Sequence, residues 1–341
     1  MNKKNIVTIG GGTGHFVLLS GLKKYDIDIT AIVSMADDGG STGVLRDEMG
    51  VLPPGDVRQC LVALSEESEM LRDLFSYRFE NGTLSGHTFG NLFLSALEKI
   101  NGNFVDGVKE ASKILRVRGV VMPVTEYQMR LVVTLKDGSN VDGERALDGD
   151  VRISEIGVDY ISLKKKVRAY RPALEAIKNA DFIIIGPGDL YGSVLPNFLI
   201  PELSSAVKKS DAKVLYVANL TNKKGQTSGF SIEYYVHAIE QCIGEGRINT
   251  IIANSELPDA TAVRDYEEQE GPGTIVTCDN ISKIGDANVI CQPLLSHKEV
   301  RLSSSDKIKK HRSFIRHDSK KLAKVVIDNL AEGMGLEPTW A

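Results

Sequence analysis

The sequence has no surplus of positive charge: 41 Lys and Arg stand against 45 Asp and Glu, a formal net charge of −4. A chain without such a surplus has no general means of holding a nucleic-acid backbone, so nucleic acid is not an expected partner. Cysteine is equally sparse. Cys60, Cys242, Cys278 and Cys291 are scattered with no C-x-x-C, which indicates neither a zinc ligand set nor a disulfide framework and fits a reducing cytosol. No stretch approaches the roughly 18 to 20 apolar residues of a membrane span, and Met1-Asn2-Lys3-Lys4 is followed only by a short apolar run that ends in glycines. The expectation is a cytoplasmic protein that does not enter a membrane. Internal repeats and long linkers are missing too. With 341 residues and 42% hydrophobic content, the chain reads as one domain over 1–341 whose halves share a sheet.

What is present is an alternation of apolar strands and helical patterns. Asn5 to Ile9 is a β-rich run, helical spacing follows to about residue 24, and Asp28 to Ser34 is a second strand. This is a βαβ unit and implies a parallel sheet. Helical spacing then covers Val57 to Phe75, Phe89 to Ile100 and Val105 to Leu115. Between 117 and 166 the texture changes to alternating strands such as Met129 to Thr134, turned by Asp137-Gly138, which predicts a small β-rich insertion. The runs 181–185, 213–217 and 250–253 are so apolar that they belong in a sheet buried on both faces. The fold class that follows is α/β, a mainly parallel, doubly wound sheet.

In such sheets ligands gather at the carboxyl ends of the strands, and four polar turns fall there. The first is Gly10-Gly11-Gly12-Thr13-Gly14. It misses the strict G-x-G-x-x-G pattern because His15 holds the sixth place, and it lacks the G-K-[ST] ending of a P-loop. Backbone N–H groups at a helix start, with glycine admitting a close ligand, still make a phosphate site. The second turn is Ala36-Asp37-Asp38-Gly39-Gly40-Ser41-Thr42-Gly43. Its carboxylates suit a ribose hydroxyl, a Mg²⁺ ion or the orientation of an attacking hydroxyl, and a solvent-exposed Asp-Gly turn is the plain alternative. Gly39 to Gly43 also matches G-x-S-x-G, but no oxyanion motif or clear histidine partner accompanies Ser41 in sequence.

The third turn, Pro53 to Arg58, has a relative in Gly86 to Asn91. Asp56 and Thr88 read as helix N-caps, with Arg58 and His87 placed to donate to an anion. The fourth turn, Gly186-Pro187-Gly188-Asp189, ends a strongly apolar strand, with Asp189 read as a helix cap or as a second acid converging on the same pocket. Finally, Lys307 to Lys321 carries seven Lys and Arg against Asp318 alone, most simply a solvated basic face.

Taken together, G-G-G-T-G, A-D-D-G-G-S-T-G, P-P-G-D-V-R-Q-C-L, G-H-T-F-G-N-L, G-P-G-D-L-Y-G-S-V-L-P-N and I-R-H-D-S-K-K-L-A resemble the YvcK/CofD-like family nearly from end to end. The chain is similar to the gluconeogenesis-factor branch more than to 2-phospho-L-lactate transferase. The resemblance implies a Rossmann-like fold and a cytoplasmic regulator that binds a UDP-sugar or dinucleotide. It also implies a role in cell shape and cell-wall synthesis on gluconeogenic carbon sources. The nucleotide-binding residues it implies are Gly10, Gly11, Gly12, Thr13, Gly14, Asp37, Asp38, Arg58, His87, Gly186, Gly188, Asn219 and Arg316. Asp189 stands where that branch is expected to carry Ser or Thr. The alternative is a metal-dependent transferase of a phosphoryl-linked group, with Asp38 and Asp189 as catalytic candidates and Asp37 and Asp38 as candidate Mg²⁺ ligands. Bound NAD(P), further copies of the chain and cell-wall synthesis proteins complete the expected partners.

Overall fold

The computed structural model describes residues 3–278, 281–297 and 315–330. Its backbone is an eight-stranded sheet in the order β3-β2-β1-β7-β8-β9-β11-β10. These strands are β1 (Asn5–Gly10), β2 (Asp28–Val33), β3 (Val120–Pro123), β7 (Phe182–Ile185), β8 (Lys213–Val217), β9 (Thr250–Asn254), β10 (Lys283–Ile284) and β11 (Ala287–Gln292). All neighbours run parallel except the short β10–β11 pair. The α/β doubly wound class expected from the strand–helix alternation is what the chain adopts. β7 shows the cause: all four of its residues are buried, as a strand with helices on both faces must be.

Strand order reverses between β1 and β7, which are direct neighbours with Ile6 paired to Phe182 and Ile9 to Ile185. Outward from β1 the chain fills β2 and β3, and outward from β7 it fills β8 and β9. A crevice opens at such a reversal because the connections on either side leave in opposite directions. The register places the ends of β1 and β7 level, so the turns at 10–14 and 186–189 face each other across it.

The helices of the first half are α1 (Gly12–Leu22), α2 (Gly40–Met49), α3 (Gly55–Leu64), α4 (Glu69–Ser76), α5 (Phe89–Asn101) and α6 (Phe104–Ile114). Two differ from the sequence reading. The pattern over 57–75 is two helices, because Ser65 turns its hydroxyl to the Leu115 carbonyl (2.7 Å) and Ser68 caps the Leu71 N–H. The glycine-rich stretch after Gly39 continues into α2 and is more than a turn. Residues 117–166 are divided between two sheets. β3 joins the large sheet beside β2, while β4 (Leu131–Leu135), β5 (Asn140–Asp142) and β6 (Val158–Leu163) form an antiparallel sheet in the order β5-β4-β6.

α1 packs closely against the helix Ser319–Leu330, and Gly21 is what permits the approach: a Cβ there would collide with the Ser319 carbonyl and the Ala323 side chain. This helix brings the preceding residues 315–317 to the carboxyl end of the sheet, where Leu295 and His317 make an antiparallel bridge. At the far edge a disulfide links Cys278 to Cys291 across a Cα–Cα distance of 6.0 Å. The scattered spacing did not indicate this pair; β11, returning beside β9, brings the two cysteines together. Among the described residues no helix is long and apolar enough to cross a membrane.

Candidate functional site

A cleft of about 320 Å³ lies over the reversal. Its floor is Gly12, Thr13 and Gly14 from the β1 turn and Pro187 and Gly188 from the β7 turn. Gly14 allows the two turns to touch, since a Cβ there would strike the Pro187 carbonyl. Gly12 has φ +69°, a left-handed conformation that glycine adopts freely. A Cβ on Gly12 would meet only Ser193 Oγ, at 3.5 Å, so the space above it is open to a ligand.

The helix start behind these glycines already carries a carboxylate. Asp56 Oδ1 accepts from the Gly12 N–H at 3.0 Å. Asp56 was expected to cap its own helix, but Pro54 takes that place and Asp56 reaches across to α1. Asp37 stands next to it. Burial and the neighbouring Asp37 charge push Asp56 up to about 7, against the pull of the Gly12 N–H and Arg58. Asp37 is also raised, chiefly by burial, with the Gly39 N–H and the Thr42 hydroxyl opposing. Glu144, from the segment between β5 and β6, completes an acid-rich wall. Burial lifts it well above the ordinary carboxylate range, helped by the charges of Asp37, Asp148 and Asp189.

The adjacent carboxylates of the second turn diverge. Asp37 lines the cleft, whereas Asp38 points away, accepting from the Arg145 N–H at 2.6 Å and pairing with the buried Arg46 at 3.5 Å. Other expected ligand residues support the walls without lining them. Gly10 backs onto the buried His15 ring, as does Gly186, and a Cβ on Gly11 would collide with Asp56. Arg58 donates through Nε to Asn91 Oδ1 at 2.8 Å. His87 Nδ1 lies 2.9 Å from Ser41 Oγ, which also accepts from Asn91 at 3.3 Å. Ser41 thus has a histidine neighbour, supplied by the α4–α5 connection and so invisible in the local motif. Thr88 caps α5 as read, accepting from the Asn91 N–H.

The opposite wall is built from the segment after β8 and from Ile315, Arg316 and His317. Asn219 donates to the Gly188 carbonyl at 2.7 Å and holds the β7 turn in place. Asp189 caps the π-helix Leu190–Val194, accepting from Tyr191 and Gly192 N–H. Burial works upward on Asp189, but the Lys223 ammonium and those two N–H groups carry it below the usual range. Lys223 lies between Asp189 and Asp148, bonding both, with 2.8 Å to Asp148. Burial works against its charge, yet the two carboxylates raise its pKa above the ordinary lysine value. Arg316 lines the cleft; the basic run before it, 307–314, lies outside the described residues. Asp56, Glu144, Asp148, Lys223, Gln226 and His317 were not singled out as ligand-facing from the sequence; for His317, its place beside Arg316 was the available signal.

The model of the family described as 2-phospho-L-lactate transferase CofD matches residues 6–295, which include both glycine turns and the acid-rich wall. The chain belongs to the CofD family. Among its relatives it is 40% identical to the gluconeogenesis factor of Halalkalibacterium halodurans over 90% of this chain and 95% of that protein. It is 38% identical to the gluconeogenesis factor of Bacillus subtilis over 97% of this chain and 99% of that one. A crystal structure of a UPF0052-family protein from Bacillus halodurans superposes with a TM-score of 0.84 at 37% identity, covering 96% of this chain and 99% of the other. The resemblance read from the motifs is therefore a family membership.

Proposed function

We propose that this CofD-family chain binds a UDP-sugar or dinucleotide, with its diphosphate over Gly12–Gly14 and Gly188, and acts as a regulator of the gluconeogenesis-factor kind. The observation that carries this reading is the meeting of two glycine turns above the open, left-handed Gly12 at the strand reversal. The relatives' printed name, gluconeogenesis factor, supports a role tied to gluconeogenesis; a role in cell shape and wall synthesis on gluconeogenic carbon belongs to the proposal alone. Mass spectrometry of ligands released from the purified protein, followed by calorimetry with the compound found, tests the binding. Gly12→Val is expected to abolish that binding in a protein that still folds, because the branched side chain fills the phosphate's space. Unchanged affinity would remove the turn from the site.

A second reading, transfer of a phosphoryl-linked group, is favoured by the facing pair Asp37 and Asp56 beside the same turn and by the family's description. Among the described residues no three His, Cys, Asp or Glu side chains converge as a ready-made metal site. Two facing carboxylates nevertheless suit Mg²⁺, which takes one or two protein carboxylates and completes its octahedron with phosphate oxygens and water. Asp37 and Asp56 fit that role better than Asp37 and Asp38, which point apart. The ion would neutralise phosphate charge; Asp37 and Asp56 would hold it, and the Gly12 N–H would fix the Asp56 carboxylate in place. Incubating the identified ligand and acceptor alcohols with Mg²⁺ and looking for product separates transferase from binder.

A further inference from the structure

Six buried side-chain atoms among the described residues have no hydrogen-bond partner, and two of them, Gln226 Oε1 and His317 Nε2, belong to residues lining the cleft. A buried polar atom without a partner is costly, so a native fold that keeps two in one cavity calls for an explanation. Both are fixed in place by the backbone around them. Gln226 is 5% exposed, and its Nε2 donates to the Leu147 carbonyl at 2.9 Å. That bond settles the orientation of the amide, since only the NH₂ end can face a carbonyl, and leaves Oε1 as the unpaired acceptor. His317 is 6% exposed and sits in a ladder in which the Ser296 N–H donates to the Arg316 carbonyl and the Asp318 N–H to the Leu294 carbonyl. Burial lowers the His317 pKa to about 4, so the ring is neutral at physiological pH and Nε2 either donates or accepts according to tautomer.

These atoms differ in kind from the rest of the cleft. Lys223 already has two carboxylate partners, and the Gly12 N–H already has Asp56. Gln226 and His317 line the cleft as uncharged residues, each with one polar atom shielded from solvent and without a protein partner, so a ligand edge seated against them would supply the missing hydrogen bond. A phosphate has no N–H to give Gln226 Oε1, and a second acceptor facing that oxygen is repelled. A nucleobase or sugar edge carries both donors and acceptors on uncharged atoms.

We infer that Gln226 and His317 are specificity-determining residues that hydrogen-bond the uncharged base or sugar edge of the nucleotide ligand, with Gln226 Oε1 as acceptor. This rests on the nucleotide-binding reading above. It places the diphosphate at the strand reversal and the recognised edge toward the β8 turn and the 315–317 segment.

Titration calorimetry of the full chain with two probes, UDP-glucose and inorganic pyrophosphate, tests the inference on wild type, Gln226→Met and His317→Phe, with thermal midpoints measured alongside. Wild type is expected to bind both probes. Each variant is expected to bind UDP-glucose about tenfold more weakly, the usual scale for one hydrogen bond to a buried group, and pyrophosphate within twofold of wild type. His317→Phe is expected to keep or raise the thermal midpoint, because Nε2 has no protein partner to lose. UDP-glucose affinities within twofold of wild type in both variants would overturn the inference while leaving the nucleotide reading intact. Equal losses for both probes would overturn it as well, since the residues would then act through the fold. Wild type that binds pyrophosphate but not UDP-glucose would instead overturn the nucleotide reading on which it rests.

Discussion

The two walls of the cleft treat charge in opposite ways. On the β2 side, burial and like-charge repulsion outweigh the pull of Arg58 and keep Asp37 and Asp56 above the usual carboxylate range, while Glu144, raised by burial and by the charges of Asp37, Asp148 and Asp189, stands between the two walls. On the β8 side, Asp148 and Asp189 share Lys223, and Asp189 stays ionised. Both walls are acid-bearing, so composition does not separate them. What differs is how closely a cation is held: Lys223 bonds both Asp148 and Asp189, whereas Arg58 only partly offsets burial at Asp56, whose pKa of about 7 lets it exchange a proton near neutral pH. Under the proposed function, an anionic diphosphate approaching Gly12 would meet Asp56 and would be accepted only with that carboxylate protonated or a divalent cation bridging the two.

The largest effect expected from this contrast is on stability. Asp56→Asn keeps an acceptor for the Gly12 N–H and removes a buried acid. A folded-state pKa of about 7, against an ordinary 3.8, means that the folded protein binds this proton more tightly than the unfolded chain. Wild-type stability therefore falls as pH rises from about 4 to 7 on account of this group, and the substitution should recover roughly 2–4 kcal/mol at pH 8 but almost nothing at pH 4. Urea unfolding at the two pH values measures it, and an equal effect at both would erase the distinction between the walls. Lys223→Met should have the opposite sign, leaving Asp148 and Asp189 without their shared partner and costing about 1–3 kcal/mol at pH 7. A stabilised Lys223→Met would mean that the ion-paired wall is no better compensated than the other.

Next in size is the pH dependence of ligand binding. Without divalent cations, UDP affinity should fall about tenfold between pH 6 and pH 8 as Asp56 loses its proton, and Asp56→Asn should flatten that slope. If Mg²⁺ is the bridge, added Mg²⁺ should reverse the trend in wild type only. Smallest is Arg316→Lys, expected to weaken UDP-sugar binding about fivefold, because the planar guanidinium fork matches a diphosphate bidentately and an ammonium does not. Calorimetry showing equal affinities would take Arg316 out of the site, and with it the basic contribution of the 315–317 wall.

Much of the scaffold was legible because its signals are local. The apolar runs of β1, β2, β7, β8 and β9 are each short, bounded by polar turns and separated by helical spacing, so the parallel sheet and its glycine turns could be placed. Thr88 and Asp189 were legible as caps for the same reason. The failures share a cause as well. Ser65 breaks the 57–75 helix through a bond to Leu115, and Cys278 meets Cys291 only because β11 returns beside β9. Ser41 finds His87 across two helices, and Asp56 leaves its own helix for Gly12.

The sequence by itself determined the strand–helix alternation, the glycine turns at the strand ends and the family to which the chain belongs. Each depends on residues near one another in the chain, where periodicity and turn chemistry act directly. The tertiary structure decided which carboxylates share a wall, which of them holds a cation, and which polar atoms are left without a partner. Protonation and hydrogen-bond satisfaction depend on distances of a few ångströms between segments far apart in sequence. Glu144, between β5 and β6, and His317, before the last helix, reach the same cleft only because the folded sheet brings their segments to its carboxyl edge.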